Sequence, residues 1–503
     1  MKKTKKNKKI RKFYQRPLFY FAIVVAAVLA FFMFQLVRLG IIPNQFLILL
    51  LIALVLLYFI GYIMMVRATA GFFQKLFGFF IALVLALVSG FGSFYLETTY
   101  DSLSKMADSA TKVKKITSLY VLKNGAIDKV EDLDNHTLGI MENFENSKGA
   151  SGISKKLYKK DVDVKYKKYE SGIKMVKDLK GQAIDGIIVD SSFISTIEDF
   201  EEEKDIRSQV KSILDYEYFV EKTKESKDKA DVTKQPFSVL ISGIDTYGEI
   251  QATSRSDVNM IATINPTTRS ILLTSIPRDY YVETRCEAEM GCAIGKMDKL
   301  THTGLHGVET TEMTLEHLFD MKINYNARVN FSSVVNIVDE LGGVDVINPN
   351  TFTIEGHTFV ASDQPIHLNG EEALAFSRER YSFAEGDRER GRNQMRVMNG
   401  IINKIVSPQI LKNFSGIMNA VGNSFQTNMS VKDMTALVNM QLSKGGSWKI
   451  YSCSVNGTGG TDFAYELGDN AYVMYPDKET IRKAKENIDA IENGDIPPYA
   501  ERN

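Results

Sequence analysis

The chain has 503 residues with 61 basic and 61 acidic side chains, so its formal net charge is zero. The balance hides an asymmetry: residues 1–16 hold nine Lys and Arg and no acid, leaving −9 for the rest. The bulk of the protein therefore lacks the large positive field a nucleic-acid binder needs, and no nucleic-acid partner is expected.

Three apolar stretches follow the basic tail. Pro17–Val37, Phe46–Val66 and Leu76–Leu96 each run 21 residues without a charge. As helix, each covers the ~30 Å hydrocarbon core of a bilayer. The first is too long for a signal-peptide core and two more follow it, so it is expected to be retained. Positive charge favours the cytoplasm, which puts residues 1–16 and the loop with Arg67 and Lys75 inside. Anionic membrane lipid accounts for the basic tail. Residues 97–503 are then expected outside the cell, on a multi-pass membrane protein.

Beyond the spans, residues 97–220 read as a small accessory α/β domain. Thr137–Met141 and Val162–Tyr169 have strand character. Gly172–Leu179 has helical apolar spacing, and Ala183–Val189 reads as a buried strand. This order is like one lobe of a solute-binding protein, and it is common to many α/β folds. The segment Glu221–Gln235 is highly charged with one branched aliphatic residue, and reads as a linker. A larger α/β domain spans 236–493, and 494–503 is expected to be a loose tail. Within the larger domain, Gln364–Leu368 leads to a turn at Asn369-Gly370 and a short helix at Glu371–Ala375.

Three strands open that domain: Phe237–Ile241, Asp257–Ile264 and Ser270–Ile276. Asn265-Pro266-Thr267-Thr268 is a turn signal, so the second and third strands pair as a hairpin. Asp257 lies ten residues before Thr267 and Arg278 eleven after it, which brings them side by side at the open end. Asp245 leaves the first strand at the same end if that strand runs antiparallel to the second. Two carboxylates at a sheet edge suit Mg²⁺, which prefers oxygen and shares its shell with substrate phosphate. The same aspartates also fit turn and capping roles.

Between Arg378 and Arg396 stand six arginines (378, 380, 388, 390, 392, 396) among four acids (Glu379, Glu385, Asp387, Glu389). Arginine suits planar, bidentate capture of phosphate. Arg378 and Arg380 alternate around Glu379, so an extended segment would point both the same way. Asp387, Arg390 and Gln394 share one face of the next helix, continued by Val397, Met398, Ile401, Ile402 and Ile405. A lipid phosphate needs such a layout, with charge at the mouth and hydrocarbon below. A solvated salt-bridged helix face above ordinary core has the same pattern. Cys286 and Cys292 are close enough in sequence to close a small loop, and no zinc-type spacing occurs.

The stretches FSVLISGIDTYG, SRSDVNMIATINP, ILLTSIPRD, KLTHTGLHGVE and LNGEEALAFSRERYSFAEGDRERGRNQMRV resemble the LytR–CpsA–Psr family over roughly residues 236–410. The three spans and accessory domain are most similar to its streptococcal capsule-locus, CpsA-like branch. The resemblance implies a family-type α/β domain with a central mixed sheet flanked by helices. It implies a phosphotransferase that moves a capsular or other glycopolymer from a polyprenyl pyrophosphate carrier to peptidoglycan through a phosphodiester. Asp245 and Asp257 match the metal-associated aspartates, Arg278 an arginine at the pyrophosphate, and Asp387 a further acid of the site. Arg378, Arg380, Arg390 and Gln394 match the carrier head-group set, and Lys299 a basic residue ahead of a His-Thr element. Mg²⁺ is the implied cofactor; capsule-assembly proteins are a further partner class. The loop Arg285–Lys296 has no counterpart in the pattern. With water as acceptor the same site would be a polyprenyl pyrophosphate phosphatase. A membrane-bound regulator or scaffold is the alternative from another class.

Overall fold

The computed structural model describes residues 16–67, 69–108, 112–190, 192–198, 200–221, 230–245, 250, 254–407, 416–420 and 425–502. Fifteen residues of the basic tail and most of the 221–235 linker lie outside that set. The chain forms two compact units, Met1–Ser104 with Phe414–Asn419 and Ser430–Gly446, and the remainder.

In the first unit three helices, Pro17–Leu39, Asn44–Val66 and Phe72–Asp108, are long and apolar enough to cross a membrane. They provide the membrane anchor. The second and third meet at paired glycines: a Cβ on Gly78 would lie 2.7 Å from that of Met64, and one on Gly61 3.3 Å from Ile81. Small residues permit this backbone approach, since lipid offers no hydrophobic drive between helices.

The second unit begins with a five-stranded sheet in the order Lys165–Tyr169, Thr137–Met141, Gly186–Asp190, Lys112–Leu122, Val210–Glu221. The first three strands are parallel, and the last two form a long antiparallel ribbon. Sequence reading located the three parallel strands and the helix Gly172–Lys180. It missed the ribbon, whose charged residues interrupt apolar alternation. The helix Lys148–Tyr158 lies so close to the ribbon that a Cβ on Gly152 would fall 2.2 Å from the Tyr216 ring.

A seven-stranded mixed sheet follows, ordered Phe425–Thr427, Tyr325–Asn330, Phe237–Ile244, Val258–Asn265, Ser270–Ile276, Lys449–Ser454, Glu501–Arg502. The expected hairpin is present, with Asn265 opposite Ser270. Alternation along the strands sends Leu240 and Ile261 to one face and Met260 and Ala262 to the other. The first face is covered by Val308–Phe319 and Lys478–Asn493, the second by Asp387–Ile405. The tail expected to be loose instead adds the edge strand, pairing with Tyr451 and Ser452. It is held there because Tyr499 N–H donates to Asn487 Oδ1 at 2.8 Å.

One local expectation is corrected, and the core reading of the next helix's apolar face holds. The helix after Asn369 runs Gly370–Arg378, so Arg378 closes a helix rather than lying in an extended segment. Asn369 caps it in a reciprocal box with Glu372, which extends it past Ala375. The apolar face of Asp387–Ile405 is core: Val397 and Ile401 pack among Val344, Phe352 and Phe376. Met398 and Ile402 pack on the sheet, so this face is no wall for a lipid chain.

The hairpin Gly457–Ala464 and Asp469–Pro476 joins the two sheets. Its Ala464, Leu467 and Ala471 share one buried cluster with Ile173, Val176 and Val189 of the five-stranded lobe. Gly172 N–H donates to Leu467 O at 2.9 Å. Gly468 sits at φ +60°, and a Cβ there would fall 1.8 Å from Glu170 O. The 285–296 loop is closed by a Cys286–Cys292 disulfide.

Candidate functional site

The antiparallel pairing of Phe237–Ile244 with Val258–Asn265 carries Asp245 and Asp257 to one sheet end. Asp257 N–H donates to Gly243 O at 2.9 Å, anchoring that end. Arg278, at the end of the third strand, places Nη1 2.6 Å from Asp257 Oδ1. Thr301 Oγ1 donates to the same oxygen at 3.3 Å. Burial alone would raise the Asp257 pKa, but the Arg255 and Arg278 guanidiniums hold it down to about 2. Asp245 keeps an exposed edge in partly dry surroundings beside Asp257. Those surroundings and the second carboxylate push its pKa above the ordinary carboxylate value, against the pull of Arg378, Arg255 and Arg278.

Across from this end stands the start of helix Asp387–Ile405. Asp387, Arg390 and Gln394 line one crevice with Asp257 and Arg278, as the helical spacing predicted. Arg390 is nearly buried and ion-pairs with Asp387. Desolvation lowers its pKa, with Asp387 opposing and Arg278 adding to the fall. Gln394 Nε2 donates a long bond of 3.4 Å to Ser377 O. Arg388 Nη2 reaches Gly457 O at 2.8 Å, tying the helix to the hairpin.

The rest of the arginine cluster divides by role. Arg392 pairs with Glu385 and Glu389, and Arg396 lies 2.7 Å from the buried Glu389. These two form a salt-bridged network around Glu389. Arg378 and Arg380 lie at the rim. Arg378 stacks 4.6 Å over Phe331 and reaches Glu355 at 2.7 Å. Arg380 lies over the Tyr381 ring and donates to its hydroxyl at 2.6 Å. They do not point together, because the helix ends between them. Arg378 nevertheless acts on Asp245, and Arg380 on Arg390, through charge.

Lys299 is buried behind the crevice with Nζ 2.6 Å from Asp279 Oδ1. Arg278 Nε is 3.7 Å from the other oxygen of Asp279. Lys299 thus positions Arg278 through Asp279. Its neighbour Asp298 accepts from Lys299 N–H and pairs with His302, both at 2.6 Å, and accepts from Glu466 N–H at 2.8 Å. Sequence reasoning missed Arg255 and Asp279. Arg255 was legible in Ser-Arg-Ser-Asp, two residues before Asp257 and so on the same side of an extended segment. The Asp279–Lys299 pairing is non-local and had no signal.

Among the described residues no group of three or more Asp, Glu, His or Cys gathers as a metal cage. A cation here would draw on Asp245 and Asp257, with phosphate and water completing its shell, and their mutual repulsion fits such an ion. The arrangement as a whole is an arginine-rich crevice at one end of the sheet.

The LytR_cpsA_psr family model matches residues 196–490, more than half of the chain. The chain is 34% identical over 243 residues to a polyisoprenyl-teichoic acid–peptidoglycan teichoic acid transferase, TagU, of Enterococcus faecalis. That alignment covers 48% of this chain and 76% of the relative. TagU of Bacillus anthracis is 37% identical over 201 residues, 40% of this chain and 63% of the relative. The crystal structure of Bacillus subtilis TagU superposes with a TM-score of 0.39 at 30% identity, over 51% of this chain and 96% of that one. The SGID, SRSD, IPRD and arginine-rich segments that build the crevice all fall inside the matched span, and the chain belongs to the LytR–CpsA–Psr family.

Proposed function

We infer that this protein transfers a glycopolymer from a polyprenyl pyrophosphate carrier to peptidoglycan, leaving a phosphodiester link. The observation that carries the reading is the crevice in which the Asp257–Arg278 and Asp387–Arg390 pairs face each other at the sheet end. The relatives' transferase names agree with it. In this reaction a sugar hydroxyl of the acceptor attacks the glycan-linked phosphorus and releases its proton to solvent. The bond from that phosphorus to the bridging oxygen breaks, and polyprenyl phosphate leaves with the bond's electron pair. Negative charge grows on the leaving and equatorial oxygens, where Arg278 and Arg390 stabilise it in a desolvated setting. Arg378 and Arg380 at the rim, with Gln394 inside, hold the carrier head group. Lys299 and Asp279 orient Arg278. Mg²⁺ held by Asp245 and Asp257 would neutralise phosphate charge when bound. Asp257, with a pKa of about 2, is a poor proton acceptor.

The carrier is a lipid, and the three apolar helices keep the enzyme at the membrane. The N-terminus is inside and residues 97–503 outside. The Lys and Arg bias supports this, as does the Cys286–Cys292 pair, since disulfides persist in oxidising compartments. A capsular polymer is the finer reading of the cargo, resting on the CpsA-like resemblance. The test supplies the full chain in detergent with carrier-linked glycan and peptidoglycan fragments. A wall-linked phosphodiester product supports transfer. Free phosphorylated glycan means a hydrolase, and no turnover of carrier-linked glycan overturns the reading.

A further inference from the structure

We propose that the outward face of the Gly457–Ala464 and Asp469–Pro476 hairpin is the subsite for the neutral sugar chain of the peptidoglycan acceptor. The proposal deepens the transfer reading and rests on it.

Register fixes what that face carries. Gly459 lies opposite Met474, Thr461 opposite Tyr472, and Phe463 opposite Asn470. Opposed residues of an antiparallel pair share a face, as do residues two apart along each strand. Phe463 is 48% exposed and Tyr472 53%, with Gly459, Thr461 and Asn470 open beside them. The other face is the buried one, carrying Ala464, Ala471 and Val473. The hairpin thus meets its packing needs on one face and keeps two aromatic rings in water on the other. A Cβ on Gly459 would fall 2.8 Å from the Tyr472 hydroxyl, so this ring reaches across the bare backbone of the neighbouring strand. The exposed face holds no Lys, Arg, Asp or Glu, because alternation sends Asp462 and Asp469 to the opposite side. Aromatic rings match the apolar C–H face of a pyranose, and Thr461 and Asn470 offer partners to its hydroxyls. A lipid chain needs an enclosing apolar wall and an anionic polymer needs cations; this face supplies neither.

Position commits the face to the acceptor. The sheet end presents its strands in the order Phe237–Ile244, Val258–Asn265, Ser270–Ile276, Lys449–Ser454. Asp245, which feels the Arg378 charge, leaves the first strand, and Asp257 and Arg278 stand at the second and third. Beyond the fourth, the crevice lining continues through Asn456 to Met474 of the hairpin. At ~4.8 Å per strand, the Asp245 flank and the hairpin flank stand roughly 14 Å apart across the crevice. In-line displacement puts the attacking and leaving oxygens on opposite sides of phosphorus. With the carrier head group at the Arg378 flank, the attacking hydroxyl enters from the hairpin flank. Tyr472 sits at that entrance, where the charges of Asp279, Asp387 and Arg388 all reach its hydroxyl. The hairpin is held to the crevice by Arg388 Nη2 donating to Gly457 O at 2.8 Å and Met474 N–H donating to Asp279 O at 2.7 Å. A sugar chain lying on the exposed face would therefore end at the reacting phosphorus.

The experiment varies the concentration of peptidoglycan glycan strands in the transfer assay, using the full chain in detergent. Tyr472→Ala and Phe463→Ala should each raise the KM for those strands about tenfold, with kcat and the KM for carrier-linked glycan at the parent's values. Tyr472→Phe keeps the ring and should restore the parent KM. Tyr475→Ala, on the opposite face, should be silent. An unchanged KM for the strands in Tyr472→Ala overturns the proposal. So does a raised KM for carrier-linked glycan, which would assign the face to the donor's polymer. If the parent turns over nothing, the transfer reading has failed, and calorimetry with chitotetraose, a neutral chain of N-acetylated pyranoses, decides the face by itself. Saturable binding weakened about tenfold in Tyr472→Ala supports a sugar subsite. No saturable binding, or binding indifferent to Tyr472, overturns it.

Discussion

Arg278 Nη1 lies 2.6 Å from Asp257 Oδ1, and each of the two side chains is almost wholly removed from solvent. Removing Arg278 leaves the buried Asp257 with only the longer Arg255 contact of 4.0 Å and the Thr301 hydroxyl. Arg278→Ala should therefore cost about 3–5 kcal/mol of stability, read by chemical denaturation. Arg278→Lys should keep more of the fold but lose about 10²- to 10³-fold in kcat, because an ammonium lacks the planar fork. Wild-type turnover in Arg278→Lys would remove this arginine from the site.

The rim arginines should behave in the opposite way. Arg378 is one-third exposed, pairs with Glu355 at the surface and stacks on Phe331, so Arg378→Ala and Arg380→Ala should change stability by about 1 kcal/mol. Carrier affinity should fall by about 30-fold or more, equivalent to about 2 kcal/mol. Arg482, on the far helix with Glu479 and Glu486, should be silent in both assays. Binding of a short-chain polyprenyl pyrophosphate by each variant checks the contrast.

The two aspartates should separate on a pH axis. The Asp257 pKa is depressed in the folded state, so its stabilisation is complete above the unfolded carboxylate value of about 3.9. It is lost as pH falls toward about 2. The Asp245 pKa is raised, so the unfolded chain releases this proton first and stability falls as pH rises through that window. The acid limb of kcat/KM should accordingly lie above the ordinary carboxylate range and belong to Asp245. Asp245→Asn should abolish that limb, and a profile unchanged by the substitution would assign it elsewhere.

If a Mg²⁺ sits between Asp245 and Asp257, a chelator should depress transfer and added Mg²⁺ should restore it. Asp245→Ala should then become insensitive to Mg²⁺ at its reduced rate, with a melting temperature no lower than the parent's. Full activity of the parent in chelator would leave both aspartates as electrostatic and capping residues.

The disulfide closes a loop of seven residues from Cys286 to Cys292. Loop-closure entropy gives it roughly 2 kcal/mol. Cys286→Ser with Cys292→Ser should lower thermal stability by that order while leaving transfer at saturating substrate intact. A melting temperature that is unchanged by reductant would show that the loop is held by packing alone.

The site was legible where chemistry rests on local register. Counting residues on either side of Thr267 was enough to pair Asp257 with Arg278, and helical spacing placed Asp387, Arg390 and Gln394 on one face. Reading failed where a residue's neighbours are remote. The Lys112–Leu122 and Val210–Glu221 ribbon hides its strands behind charged outer faces. The capping box at Asn369 is present in the sequence as Asn-Gly-Glu-Glu, but Asn-Gly is equally a turn signal, and the turn reading leaves Arg378 outside the helix. Lys299 matched a family position, while its action through Asp279 depends on a fold-level contact.

The packing of Leu467 and Gly468 against Ser171 and Gly172 bears on how the enzyme can be prepared. Ala464, Leu467 and Ala471 belong to the larger domain by chain position, yet the partners that cover them come from residues 141–210. A soluble fragment beginning at Pro236 would strip that cover and leave an apolar hairpin exposed beside the Arg388 anchor at Gly457. Such a fragment should aggregate, or lose activity for reasons unrelated to its arginines. A fragment beginning ahead of Lys112 keeps both sides of the cluster.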